Sequence, residues 1–248
     1  MSSILITGAS DGIGAEIARR AARAGHDIGI GYRGNTDGAR AVADAVAATG
    51  RRAVLLRGDV AEAQDVARIF VEHATAFGAP SAVVNNAGIV PPSGRPLADA
   101  DPADMARVIA VNVMGALHVA RQAVRAMSLA RGGTGGVLLN ISSVAARTGS
   151  AGEYVDYAAS KAAVDTMTLG LAHEHARDGI RVLGIRPGVV DTAIHAKGGA
   201  PDRATRLAAA IPAGRAGTTA EIADVALFLL SDAASYVTGS ILDVSGGR

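Results

Sequence analysis

The feature that most constrains this chain is an alternation that runs from end to end. Short apolar runs of strand length alternate with longer, Ala-rich stretches of helical periodicity. The runs are Ile4–Ile6, Ile28–Tyr32, Ala53–Leu56, Ala82–Val84, Val137–Ile141, Val182–Ile185 and Ile241–Val244. The helical stretches lie near Ile13–Ala24, Thr36–Ala48, Glu62–Phe77, Pro102–Leu129, Val155–Arg177 and Ala220–Leu230. Strand–helix–strand units joined in sequence require right-handed crossovers, and these bury a parallel sheet between two helical layers. The predicted fold is therefore α/β, a doubly wound (Rossmann) arrangement with a seven-stranded parallel sheet. No composition shift or repeat divides the 248 residues, so one domain is expected over 1–248, with a substrate-loop segment at about 190–210 whose irregular part, about Val190–Pro201, reads as a surface connection or a lid.

Composition narrows the function classes. Lys+Arg 24 against Asp+Glu 23 gives a formal charge of +1, which offers no electrostatic footprint for nucleic acid or an anionic membrane. Aromatic residues are only 3% of the chain, leaving few platforms for stacked bases. The absence of cysteine excludes disulfides and thiolate metal sites and fits a reducing compartment, so a cytoplasmic location is expected. No cleavable leader is read at the N-terminus, and the purely apolar runs are too short to cross a bilayer.

The first strand runs directly into Thr7-Gly8-Ala9-Ser10-Asp11-Gly12-Ile13-Gly14 and then a helix. Glycines at such a turn permit the bend, let backbone approach a pyrophosphate, and aim helix N-terminal N–H groups at the anion. Gly8, Ser10, Asp11, Gly12, Ile13 and Gly14 are accordingly candidate dinucleotide-binding residues. The end of the second strand decides which dinucleotide: an acidic residue there would hold the ribose hydroxyls of NAD. The chain instead has Tyr32-Arg33-Gly34-Asn35, and a guanidinium at Arg33 suits the 2′-phosphate of NADP. NADP(H) is expected, with NAD(H) kept open by Asp37 nearby and by an acidic rather than basic residue at position 11.

Tyr157-Ala158-Ala159-Ser160-Lys161 puts a phenol and an ammonium four residues apart on one helix face. Only two of the 24 basic residues are lysines, Lys161 and Lys197, which makes the pairing less easily accidental. A tyrosine exchanges protons poorly near neutrality, with an ordinary pKa of about 10, and a neighbouring ammonium is expected to lower it. Tyr154 reads as a helix-entry or pocket residue. Asn140-Ile141-Ser142-Ser143 closes the fifth strand at the sheet edge where ligands bind, and a serine hydroxyl there can hold a substrate oxygen. The histidines show no metal-ligand spacing, and no metal is expected. His195 is a candidate for the loop over the site. Met105, Met114 and Met127 read as core or subunit-contact residues.

Together with Asp59-Val60, Asn85-Asn86-Ala87-Gly88, Asn112 and Pro187-Gly188, these motifs stand in the order of the classical short-chain dehydrogenases/reductases, which the chain resembles along essentially its whole length. The likeness is greatest to the 3-oxoacyl-[acyl-carrier-protein] reductase and glucose-dehydrogenase-like branch. The resemblance implies an oxidoreductase that moves a hydride between a nicotinamide and a carbonyl or secondary alcohol. It implies Tyr157 as general acid/base, Ser143 on the substrate oxygen, Lys161 on the nicotinamide ribose and the tyrosine, and Asn112 in a proton relay. Ser142 keeps a claim to the serine role, because the Ser143–Tyr157 spacing is one residue longer than in many relatives. The resemblance further places Asp59 and Val60 at the adenine, Asn85, Ala87 and Gly88 along the ribose, and Pro187, Gly188, Val190 and Thr192 by the nicotinamide. It also implies a homotetramer. An acyl carrier protein partner would need a basic rim, and the mixed run His173-Glu174-His175-Ala176-Arg177-Asp178 speaks against one.

Overall fold

In the computed structural model, residues 2–192, 198–200 and 202–248 are described. His195 and Lys197 lie outside the described residues. The seven strands are β1 (Ser3–Ile6), β2 (Asp27–Tyr32), β3 (Ala53–Arg57), β4 (Ala82–Asn85), β5 (Gly136–Ile141), β6 (Ile180–Pro187) and β7 (Ile241–Val244). They form one sheet in the order β3-β2-β1-β4-β5-β6-β7, and every pairing is parallel. The strand order reverses between β1 and β4, so the crevice at their C-terminal ends is the ligand position such sheets provide.

The side-chain alternation of β1 shows how both layers are filled. Ile4 and Ile6 join one apolar cluster and Leu5, between them, joins the other. On the first face pack α1 (Gly12–Arg23), α2 (Thr36–Ala47) and a C-terminal helix over Thr219–Leu230. On the second pack α3 (Ala63–Phe77), α5 (Ala116–Met127) and a 21-residue helix over Val155–His175, against which α4 (Pro102–Ile109) packs in turn. Helix ends follow local chemistry. Asn35 accepts from the Gly38 N–H to start α2, Asp101 caps α4 with Pro102 in its first turn, and Thr218 with Glu221 forms a reciprocal capping box.

The stretch read from sequence as one helix over Pro102–Leu129 is broken in its middle. A π-helical turn spans Ala110–Gly115 between α4 and α5. By length and composition Pro102–Met127 is apolar enough to cross a membrane, which reading runs of purely apolar residues did not show. Here one side of that stretch, from Val108 through Val119 to Met127, is buried in the protein core. The three methionines separate accordingly: Met127 is fully buried, Met105 half-buried and Met114 exposed.

Among the described residues two further short α-helices are α6 (Ala145–Thr148) after β5 and, beyond α7 (Val155–His175), α8 (Arg203–Leu207) in the expected substrate-loop segment. The C-terminal helix Thr219–Leu230 is α9. Val190 and Gly217 form an isolated parallel bridge that ties this segment back to the body.

Candidate active site

At the C-terminal edge of the sheet, a groove of about 630 Å³ runs over the ends of β1, β2 and β4. Its walls include Gly8, Ser10, Asp11, Gly12 and Ile13 of the first turn, Tyr32 at the end of β2 and Arg33 just after it. They also include Asp59, Val60, Ala87, Gly88 and Thr192. A smaller cavity of about 140 Å³ adjoins it, lined by Ser142, Ser143, Tyr154, Tyr157, Lys161, Pro187, Gly188 and Val190. Ile13, Gly88 and Thr192 line both spaces, so groove and cavity are one continuous depression.

The glycine turn is held by residues that the sequence did not single out. The Thr7 hydroxyl accepts from the backbone N–H groups of Asn86 and Ala87, each at 3.0 Å. Asn86 Nδ2 donates to the carbonyls of Thr7 and Gly8 at 2.9 and 3.0 Å. A Cβ on Gly14 would lie 2.5 Å from Asn86 Nδ2 and 2.6 Å from the Gly8 carbonyl, so Gly14 serves close packing beneath the turn and does not line the groove. Gly12 differs. Its φ of +57° suits glycine, and a Cβ there would meet only Thr192, at 3.8 Å. It would thus project into the space where an anion would approach the start of α1, whose first turn carries no acidic residue. The donor set and open cradle fit a dinucleotide pyrophosphate.

Arg33 is largely exposed at the groove, with its side chain 61% accessible and Nη1 3.6 Å from Asp59 Oδ2. Arg107 Nη2 donates to the same carboxylate oxygen at 2.5 Å, and the Ala61 N–H donates to Oδ1. Burial pushes the Asp59 carboxyl up, but these hydrogen bonds and the two guanidinium charges outweigh it and hold the group below its ordinary value.

Asn85 departs from its expected place along the ribose. Its side chain is buried and donates to the Ala116 carbonyl at 3.0 Å and to Asn140 Oδ1 at 3.1 Å. Asn140 in turn donates to Thr168 at 2.9 Å, a satisfied polar chain linking β4, β5 and α7. It is the neighbour Asn86 that lines the groove.

α7 buries a face that includes Tyr157, Lys161, Val164, Thr168 and Ala172, so the Tyr/Lys pair is presented by the same periodicity that packs the helix. Lys161 Nζ donates to the Ile141 carbonyl at 2.9 Å and lies 5.8 Å from the Tyr157 ring centroid. Burial pulls its pKa down to about 8. Burial pushes the Tyr157 phenol above its ordinary value and Tyr154 adds to this, while the neighbouring Ser143 hydroxyl and the Arg203 charge act the other way. The expected lowering of Tyr157 by Lys161 is not what this geometry produces. Desolvation dominates, and the ammonium is turned to the end of β5.

Of the two serines, Ser142 donates to the Lys161 carbonyl at 3.2 Å, whereas Ser143, whose hydroxyl accepts from the Ala145 N–H at 3.1 Å, lines the cavity with Tyr157 and favours its ionised form. Asn112, in the π-helical turn, lines neither space. Its Oδ1 accepts from the Ile89 N–H at 2.9 Å, and its Nδ2 donates to the Ile89 carbonyl and to Ser160 Oγ at 2.9 and 3.1 Å. Its side chain therefore clamps the segment after β4 to α7.

A doubly wound sheet with a dinucleotide groove opening onto a buried Tyr/Lys/Ser cavity defines an oxidoreductase that uses a nicotinamide dinucleotide. Comparison with known proteins agrees. The profile of a family described as enoyl-(acyl carrier protein) reductase matches residues 8–248. An uncharacterised oxidoreductase of Escherichia coli K12, YgfF, is 42% identical over 248 residues, all of both chains. The cis-4-hydroxycyclohexanecarboxylate dehydrogenase of Sinomonas cyclohexanicum is 40% identical, covering 98% of this chain and 94% of the relative.

Among solved structures, a Burkholderia cenocepacia short-chain dehydrogenase in complex with NADP has a TM-score of 0.90 at 30% identity, covering 99% of this chain and 97% of that one. A 3-ketoacyl-(acyl-carrier-protein) reductase of Brucella melitensis complexed with NADH also has a TM-score of 0.90 at 30% identity, covering 100% and 98%. The chain belongs to the classical short-chain dehydrogenase/reductase family.

Proposed function

We propose that the protein is an NADP(H)-dependent reductase of a compact carbonyl compound, or a dehydrogenase of the corresponding secondary alcohol. The observation that carries this is the convergence of Tyr157, Ser143 and Lys161 on one buried cavity continuous with the dinucleotide groove. Gly8, Ser10, Asp11, Gly12 and the start of α1 would hold the pyrophosphate, Arg33 the 2′-phosphate, Asp59 and Val60 the adenine end, and Lys161 with Thr192 the nicotinamide end. The bound nicotinamide supplies a hydride in reduction and accepts one in oxidation.

The chain's own residues handle the proton. Ser143 donates a hydrogen bond to the substrate oxygen and holds it beside Tyr157, stabilising negative charge as it develops. In reduction the carbonyl carbon gains the hydride and the oxygen takes the Tyr157 proton, giving the alcohol. A phenol kept protonated by burial starts that step in the correct state. Ser142 and Asn112 support the site by fixing Lys161 and α7.

The reaction end of the depression is small, about 140 Å³ beside the 630 Å³ groove, and this supports a compact ketone or a sugar-like alcohol over a long acyl chain delivered by a carrier protein. Exposed apolar side chains at Ile109, Met114 and Leu117 around α4–α5, at Val155 and Leu169 of α7, and at Phe228 and Tyr236 support assembly into a homotetramer through these faces. With no cysteine to oxidise, we place it in the cytoplasm.

The test is a panel of cyclic ketones, sugars, acyl thioesters and their alcohols, assayed optically with NADPH and NADH. Turnover of a compact ketone with NADPH preferred supports the reading. Tight NADPH binding without turnover anywhere in the panel would point instead to a dinucleotide-sensing protein.

A further inference from the structure

Arg203, the first residue of α8, plays no part in that chemistry, yet it lines the same cavity as Tyr157 and Ser143. Its side chain is only 8% accessible. Its guanidinium carbon stands 5.0 Å from the centre of the Tyr154 ring, and that ring is packed edge-on to Tyr157 with centroids 5.1 Å apart. Among the described residues its ion-pair partner is Glu153, at 3.5 Å from Nε, and the contact is too poorly aligned to be a hydrogen bond. Arg203 Nε and Glu153 Oε2 are both buried without a hydrogen-bond partner. Burying a guanidinium against one loosely matched carboxylate is costly, and such an orphan beside a reaction cavity implies an acceptor that arrives with the ligand. Arg248 lines the same wall.

We propose that Arg203 recognises an anionic group on the substrate, and that the substrates are compact hydroxy or oxo acids whose carboxylate pairs with this guanidinium while the reacting oxygen lies at Ser143 and Tyr157. The inference rests on the cavity being the substrate site, as argued above. The contact over the Tyr154 ring steadies the Arg203 guanidinium, and a guanidinium is the group that pairs a carboxylate through two parallel N–H donors. Arg203 and Tyr157 line the same small cavity, so a compact substrate can present its carboxylate to one and its reacting oxygen to the other. The same positive charge favours ionisation of both tyrosines, an effect that a bound carboxylate would cancel. Binding of an acid would therefore keep Tyr157 protonated for its role as proton donor.

The test uses the NADP⁺-loaded protein and two uncharged-ring probes of one shape, cyclohexanecarboxylate and cyclohexanecarboxamide, titrated calorimetrically. The proposal predicts that wild type binds the acid roughly 10- to 150-fold more tightly than the amide. Arg203→Met should bring the two within about threefold, with Arg203→Lys intermediate. Equal binding of acid and amide by wild type would overturn it without recourse to any variant. So would an Arg203→Met protein that binds both more weakly by the same factor, since a strut for α8 makes no distinction of charge. Turnover of neutral ketones by a protein indifferent to the carboxylate refutes this inference alone. Selective acid binding with no turnover of any panel compound refutes the enzymatic reading and leaves the anion site standing.

Discussion

Replacing Arg33 by alanine should change cofactor choice while sparing the fold. In the structure the Arg33 side chain is mostly exposed, and its pair with Asp59 is long, at 3.6 Å. Exposed pairs of this kind contribute about 0–1 kcal/mol, and Asp59 retains the closer Arg107. The variant should therefore lose less than about 1 kcal/mol of stability, or roughly 2–4 °C in Tm for a chain of this size. Cofactor binding is a different matter. A charge-assisted contact to the 2′-phosphate contributes about 1.5–3 kcal/mol, which is roughly 10- to 150-fold in kcat/KM for NADPH. Engaging the phosphate loosens the Asp59 pair, and this competition places the expectation in the lower half of that range. NADH lacks the phosphate, so its kcat/KM should change by no more than about twofold. Steady-state kinetics with both cofactors at fixed ionic strength reads the ratio directly. Equal losses for the two, or none for either, would refute the assignment of Arg33 as the discriminating residue.

Acid stability should depend on His73, which is fully buried with Nε2 3.0 Å from Ser3 Oγ and has its pKa pushed down to about 4 by burial. The unfolded chain takes up this proton near pH 6.5 and the folded one only near 4, so stability is complete above 6.5 and falls as the pH drops between those values. Urea midpoints should report a loss of roughly 2 kcal/mol from pH 7.5 to 5, much reduced in His73→Gln; a flat profile in wild type would contradict this. Lys161→Met should weaken NADPH binding, and it should remove the further weakening expected in wild type as Lys161 loses its proton above about pH 8; unchanged affinity in fluorescence titrations would count against a ribose contact. Light scattering at micromolar concentration should give about four times the 24.8 kDa chain mass, and a monomer mass would remove the proposed role of the exposed α4–α5 and α7 faces.

The strands were legible because each is an apolar run that a buried parallel sheet requires, and the seven expected runs lie within the seven observed strands. The π-helical turn at Ala110–Gly115 was not, since no proline or glycine interrupts the periodicity from Val108 to Val113. The Tyr157–Lys161 pairing could be read from spacing alone. What spacing could not give is desolvation, which depends on how completely α6, α7 and the end of β5 enclose the phenol, and which here outweighs the charge effect expected from Lys161. Asn85 and Asn86 illustrate a second limit. Both stand where β4 ends, and only the path of the backbone turns one side chain into the core and the other to the glycine loop. Arg203 carried no sequence signal, being one arginine among many in a segment without periodicity. Its significance arises from burial beside Tyr154.

The central claim is that Tyr157 supplies the proton and that the neighbouring Tyr154 does not. Tyr157→Phe and Tyr154→Phe should be compared with wild type for kcat on one compact ketone, with NADPH affinity measured in parallel. Positioned proton transfer contributes about 10²- to 10⁴-fold, so Tyr157→Phe should lose kcat within that range and retain NADPH affinity within about twofold. Tyr154→Phe, which keeps the ring beneath Arg203, should keep most of its activity. An active Tyr157→Phe, or a Tyr154→Phe protein that loses turnover while Tyr157→Phe keeps it, would contradict the account.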